Sequence, residues 1–229
     1  MKSHETFDST KTNLYDLLKN IKEGKLQLPD FQRSWIWDDW RIKGLVASVA
    51  KSFPIVAIML QETGNPEVQF KTRPIEGANN EVEPEKLILD GQQRLTSLFQ
   101  AIITNQVVET RNEKGHKVKR WYYIDMEKAL SEFYDLEESI VSVPEDKIIK
   151  RDFGREIELD LSKNEYEYRN LMYPVHLIDE YLEWRQEFKE YWDDAEKSKL
   201  WDKFETEIIS NFNQYMLPVI IMKKENEKE

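Results

Sequence analysis

Apolar residues recur at Leu14, Leu17, Leu18 and Ile21, the i, i+3, i+4, i+7 spacing of one helix face, and Gly24 follows where a stop is expected. In "KLQLPDFQRSWIW", Leu26 and Leu28 alternate ahead of Pro29, which predicts a short strand running into a loop. Asp38 or Asp39 then caps a second predicted helix with Ile42, Leu45, Val46 and Val49 on its inner face. That helix must end before Pro54, because a proline disfavours helical geometry in the residue preceding it. "PIVAIML" is continuously apolar and reads as a buried strand. Residues 62–85 are rich in Gly, Pro, Asn and Glu and read as a long loop, with a short strand at Val68–Lys71.

"KLILD" predicts another short buried strand, and Arg94 to Asn105 a helix packed through Leu95, Leu98, Phe99 and Ile102. A hairpin follows: "VVETR", a turn at "NEKG", and "KVKRWYYID". Residues 131–175 carry weak patterning, with short strands around "IVSVP" and "REIELDL". From Tyr181 to Tyr215 the period is helical again, through Trp184, Phe188, Tyr191, Trp201, Phe204, Ile208 and Phe212, with a break at "DDAEKSK". "YMLPVIIM" reads as a last strand. The expected class is α+β: a small mixed sheet with flanking helices over residues 1–126, then a mostly helical extension over 127–229 whose final strand can return to the core.

Composition narrows the function classes. The 229 residues are 40% hydrophobic and 12% aromatic, enough for a folded core. A formal net charge of −11 argues against a chain that is basic throughout for non-specific nucleic-acid binding, while leaving room for local basic clusters. The absence of cysteine removes disulfides, thiolate metal sites and cysteine nucleophiles. The polar start "MKSHETFDSTKTN" and the lack of any apolar run near ~20 residues point to a cytoplasmic protein without a membrane span.

The strongest chemical signal is Asp90-Gly91-Gln92-Gln93-Arg94, between a predicted strand and a predicted helix. A strand ending at Asp90 leaves its carboxylate at the sheet's C-terminal edge, where ligands of α/β sheets collect. Gly91 permits backbone conformations closed to other residues and a close approach to the main chain. The helix start offers unpaired N–H groups and a positive dipole end that favour phosphate. Arg94 adds a planar donor fork for phosphate oxygens, Gln92 and Gln93 can orient water or a nucleotide, and Asp90 can hold Mg2+ through bound water. The same residues also fit a plain Asp-Gly turn in which Asp90 caps the helix and Arg94 is solvated. No GxxxxGK[ST] occurs, so any nucleotide chemistry is not that of a P-loop. "LPDFQRSWIW" places Gln32 and Arg33 between apolar anchors, as in a loop pinned so that these two face a ligand. The alternative is that Trp35 and Trp37 are core residues and that Arg33 pairs with Asp38 or Asp39.

Taken together, "LPDFQRSWIW", "FPIVAIML" and "LILDGQQRLTSL" resemble the N-terminal domain of GmrSD-type modification-dependent restriction endonucleases, similar in fold to ParB and sulfiredoxin. The likeness is strongest over residues 26–99 and loose beyond. It implies a domain that binds and hydrolyses a nucleoside triphosphate (GTP, ATP or another) with Mg2+ and regulates DNA cleavage in phage defence. It carries Asp90, Gln92, Gln93 and Arg94 over as catalytic residues. Gln32, Arg33, Gly91, Gln93, Arg94 and Thr96 become nucleotide contacts, and Asp90 the metal ligand. Sulfiredoxin chemistry is excluded, since Gln92 stands where that family needs cysteine. The family usually continues into a Phe-x-Arg-x-Asn-x-x-Gly segment and often an HNH-type nuclease domain. Neither appears before Glu229, so DNA is expected as a partner through the full-length protein or a partner nuclease. Two rivals remain: a nucleotide-gated DNA-binding switch without significant turnover, and direct DNA recognition or cleavage by this domain. Homodimerisation stays open.

Other candidates are weaker. His4, His116 and His176 are far apart and form no metal spacing. The acids of "DMEK", "DLEE" and "WDDAEK" read as solvated helix faces, and the C-terminal aromatics as core. "KGHKVKR", Lys114 to Arg120, is a basic hairpin able to touch a nucleic-acid backbone, though an exposed turn needs no such role.

Overall fold

The main sheet is mixed, as the alternation of short apolar runs with helical stretches predicts. A computed structural model describes residues 7–35, 37–64, 70–79 and 81–223. In chain order the first half contains β1 (Phe7–Asn13), α1 (Leu14–Lys22), β2 (Leu26–Pro29), α2 (Asp39–Ala50), β3 (Ile58–Glu62), β4 (Thr72–Arg73), β5 (Lys86–Asp90) and α3 (Gln92–Ile102). The hairpin β6 (Val108–Arg111) and β7 (Lys117–Asp125) follows, then α4 (Met126–Ala129), α5 (Leu136–Ser139), β8 (Ile140–Pro144), β9 (Ile148–Arg151), β10 (Glu156–Asp160), α6 (Asn164–Arg169) and β11 (Met172–Pro174). The chain closes through α7 (Tyr181–Trp192), α8 (Ala195–Phe204), a π-helical turn at Glu205–Ile209, α9 (Ser210–Gln214) and β12 (Met216–Met222).

Six strands lie in the order β1-β12-β3-β5-β2-β4. β12 runs parallel to β3 and antiparallel to β1, so the last strand closes against the first. β5 is parallel to β2 and antiparallel to β3, which puts the end of β5 at the heart of the sheet. β7 pairs with β6, β8 and β11 in a second sheet, and β9 with β10 in a hairpin. α1, α2 and α3 bury the expected faces: Leu14, Leu17, Leu18 and Ile21; Ile42, Leu45, Val46 and Val49; Leu95, Leu98, Phe99 and Ile102. The C-terminal aromatics Trp184, Phe188, Trp201 and Phe204 are buried; Trp184, Trp201 and Phe204 pack around Tyr173 and Phe188 against Trp184 and Trp201, while Tyr191 stays exposed.

Element boundaries differ from the sequence pattern in places. α3 starts at Gln92, two residues early, so Arg94 lies in its first turn. "PIVAIML" enters the ladder only at Ile58, and Val56 is exposed. Residues 53–57 are instead held by side chains. The Tyr215 hydroxyl donates to the Phe53 carbonyl at 2.6 Å and accepts from the Ile55 N–H at 3.1 Å. The expected strand at Val68–Lys71 lies largely outside the described residues, as does His4. β1 has no apolar alternation at all; it is an edge strand formed by register with β12.

His176 follows β11 and packs at a tilt against Trp121, ring centroids 4.9 Å apart, with the Lys147 ammonium 5.1 Å from the same indole. Burial, then the Lys147 charge, lowers its pKa to about 4 from 6.5. The unfolded chain therefore binds the proton that the folded chain refuses. Stability falls as pH drops from 6.5 through 4 and levels off below. The contribution is at most about 3 kcal/mol, less whatever residual solvent screening removes. Buried Glu167, whose carboxyl is held above its usual range by desolvation, tilts stability the other way. It is shared by wild type and His176→Phe, so it cancels in their difference. Urea midpoints of the two proteins are expected to diverge between pH 7 and pH 4. Parallel curves would remove His176 as the cause.

Candidate functional site

β5 delivers Asp90 to the end of its strand, and the chain turns into α3 through Gly91 at φ 89°. A Cβ built on Gly91 would lie 2.2 Å from Ile58 Cδ1 and 3.3 Å from Arg94 Nη2. Glycine is thus required twice, by the left-handed backbone and by the neighbouring strand. The close approach that sequence reading reserved for a ligand is made by Ile58. No side chain caps α3, so Asp90 is not its cap, and the first backbone bond of the helix runs from Leu95 N–H to the Gly91 carbonyl at 3.0 Å. The first turn of α3 therefore starts at the cleft without a side-chain cap.

Arg94 is not the solvated residue of the plain-turn reading, with its side chain only 19% exposed. Its Nη2 donates to the Ala57 carbonyl at 3.1 Å and to Asp90 Oδ2 at 3.2 Å, and its Nε is buried without a hydrogen bond among the described residues. Asp90 is 69% exposed, so one side of this pair is wet. Arg33 behaves differently. It is exposed and makes no ion pair among the described residues. Neither aspartate expected to neutralise it does so: Asp38 lies 3.8 Å from Arg41, and Asp39 Oδ1 accepts from the Tyr122 and Ser142 hydroxyls at 2.9 and 2.8 Å.

The two motif glutamines are buried, and their amides grip the 32–35 segment. Gln92 Nε2 donates to the Arg33 carbonyl at 2.7 Å, and Gln93 Nε2 to the Ser34 carbonyl at 3.3 Å. Gln32 Nε2 reaches back to the Leu89 carbonyl at 2.8 Å. Trp35 Nε1 donates to Ser97 Oγ at 3.0 Å, and that hydroxyl donates to the Gln93 carbonyl. Arg73, on β4, closes the far side by donating to the carbonyls of Gln32 and Arg33 at 3.1 and 3.2 Å. Backbone carbonyls are acceptors that every residue carries, so no sequence signal could have marked Arg73.

Between these walls is a cleft of about 230 Å³, with Gln32, Arg33 and Trp37 on one side and residues 89–94 on the other. All the residues singled out from sequence line it except Thr96, which is 3% exposed with its hydroxyl buried and unpartnered. Two guanidinium groups and an uncapped helix start face one carboxylate, a balance that favours an anion. Asp90 could serve an Mg2+ ion as its single protein carboxylate, the remaining ligands being water and phosphate. No cluster of three or more acidic or histidine side chains able to hold a metal unaided occurs among the described residues. No helix among them is long and apolar enough to cross a membrane.

Comparison with known proteins bears on what the cleft serves. A sequence model of the family described as GmrSD restriction endonuclease, N-terminal domain, matches residues 14–191. The chain is also 35% identical over 150 residues to the uncharacterized protein MJ0686 of Methanocaldococcus jannaschii. That match covers 63% of this chain and 24% of the relative, so the chain spans about a quarter of the relative's length.

Proposed function

The chain belongs to the family of GmrSD restriction endonuclease N-terminal domains, and from that premise we propose that its cleft binds and hydrolyses a nucleoside triphosphate to regulate DNA cleavage by another domain. The observation that carries the reading is the Arg33 guanidinium, without an ion pair among the described residues, across the cleft from the start of α3, which no side chain caps. Arg33 and the first-turn N–H groups bind phosphate oxygens, and Arg94, braced by Ala57 and Asp90, stabilises charge on the terminal phosphoryl group. Mg2+, when bound with the nucleotide, supplies charge neutralisation between phosphate oxygens. Gln92 and Gln93 act through position, by fixing the segment that carries Arg33.

The volume refines this picture. At about 230 Å³ the cleft is smaller than the ~300–1,000 Å³ usual for a small-molecule pocket. It takes the phosphates, while the nucleoside lies at the rim or displaces the 32–35 segment. A nucleotide-gated switch is the second reading, and one observation favours it. The segment bearing Arg33 continues into Trp37, whose carbonyl accepts from Thr110 Oγ1, and into Asp38, bridged to Arg111 of β6. Movement at the cleft would therefore reach the β6–β7 hairpin.

Phosphate release with Mg2+ tests both readings. Arg33→Ala is expected to lower the rate at least tenfold while leaving the melting temperature unchanged, because Arg33 is exposed and its contacts are with ligand. Arg94→Ala should lower it as well, with some loss of stability from its buried contacts. Equal rates in wild type and Arg33→Ala would remove the assignment. Saturable triphosphate binding by calorimetry without release selects the switch.

A further inference from the structure

The larger cavity of about 450 Å³ lies elsewhere, between the start of α2 and the β6–β7 turn. Trp40 and Lys43 line it from α2, Lys114 and His116 from the turn, and Arg120 from β7. Lys43, Lys114 and Arg120 form no ion pair among the described residues, and Arg120 Nε is buried without a hydrogen bond. Their neighbour Lys119, by contrast, is neutralised by Glu145 at 2.8 Å. Of the two acids at the cavity, Asp39 is already engaged by two hydroxyls, and Glu113 is exposed on the turn. Lys43, Lys114 and Arg120 against the carboxylates of Asp39 and Glu113 thus leave a small local excess of positive charge in a chain of net charge −11. Trp40 is 56% exposed beside it, with the Arg41 guanidinium 5.1 Å from its ring. An exposed indole among unpaired cations is the pairing that binds a base by stacking and its phosphate by charge.

A second cavity of about 410 Å³ shares Arg120 and continues along the hairpin past Lys117. Glu109 and Glu145 also line it and Glu145 neutralises Lys119, so Lys117 is the cation it adds to the row without an ion pair among the described residues. We propose that the α2–hairpin cavity binds a segment of unpaired nucleic-acid strand, with one base on Trp40 and successive phosphates on Lys43, Lys114 and Arg120. Single-stranded rather than duplex nucleic acid is specified because only an unstacked base presents a face to the indole. The cavity and the cleft at α3 share no lining residue, so variants of one leave the lining of the other intact.

The test uses the full chain and a dye-labelled oligothymidylate across a salt series. Wild type should bind with affinity falling as salt rises. Trp40→Ala should weaken binding about five- to a hundred-fold at fixed salt. Arg120→Gln and Lys114→Gln should each flatten the log–log salt slope by about 0.7. Both Trp40 and Lys114 are exposed, so melting curves of those variants should overlay wild type and exclude misfolding. Phosphate release measured on Trp40→Ala should be retained, which separates this site from the triphosphate cleft. Unchanged affinity and slope in the variants would overturn the proposal. So would thymidine monophosphate competing as well as the oligomer, or a duplex binding more tightly with Trp40→Ala harmless.

Discussion

Glu167→Ala is expected to lower unfolding free energy by about 3–5 kcal/mol, because it removes the acceptor at the centre of a buried polar cluster. Glu167 is 2% exposed. Its carboxylate accepts from the Tyr123 hydroxyl at 2.8 Å and from Trp184 Nε1 at 3.1 Å, with Lys147 Nζ at 3.5 Å. These donors come from β7, from α7 and from the turn before β9, so one side chain ties the second sheet to the C-terminal helices. Alanine leaves the Tyr123 hydroxyl and the Trp184 indole N–H without this acceptor in a buried setting, and removes the counter-charge of partly exposed Lys147. Glu167→Gln keeps one oxygen acceptor but sets an NH2 donor where the other oxygen accepts, and should cost about 1–3 kcal/mol, less than the alanine. In a chain of this length the alanine variant should melt about 6–20 °C below wild type. A melting temperature within one or two degrees of wild type would mean that water substitutes for the carboxylate.

Gly91→Ala comes next in size, at about 2–5 kcal/mol: about 1–2 for a left-handed alanine and the rest for overpacking against Ile58. The two contributions can be separated. Ile58→Val deletes the Cδ1 atom that lies 2.2 Å from the added Cβ. The double variant should therefore be more stable than the sum of the single losses, by roughly 1–3 kcal/mol of coupling. Strict additivity in urea titrations would show that the backbone angle alone carries the cost. Gly91 also fixes the direction in which α3 leaves the sheet. Under the proposed function, phosphate release by folded Gly91→Ala should fall with its stability, since Arg94 and the start of α3 move together.

Much of this organisation was legible in the sequence. α1 to α3 bury the residues their spacing named, and β2, β5, β6 and β7 sit where alternation or continuous apolar runs put them. The residues of the cleft were legible too. Asp90 to Arg94 form a strand–glycine–helix junction, and Gln32 and Arg33 face it as the "LPDFQRSWIW" pattern implies. Their individual placements were not. Gln92 and Gln93 carry all the donors and acceptors of a ligand contact, yet their amides are spent on carbonyls 59 residues away in sequence. Arg33 and Arg94 are chemically identical in sequence, and only the fold leaves one guanidinium open while bracing the other. Thr96 follows the motif by two positions, but helix phase turns its hydroxyl into the core.

Sequence by itself determined where the helices and central strands form, because hydrophobic period is a local property summed over a few turns. It also determined the five-residue junction, since only glycine accepts the backbone that links that strand to that helix. Tertiary structure alone decided that a polar stretch such as Phe7–Asn13 is a strand, that Val56 lies outside the ladder, and that Arg73 and Ala57 belong to the site. In each of these the deciding partner is a backbone group or a strand register distant in the chain, and neither leaves a mark on residue type.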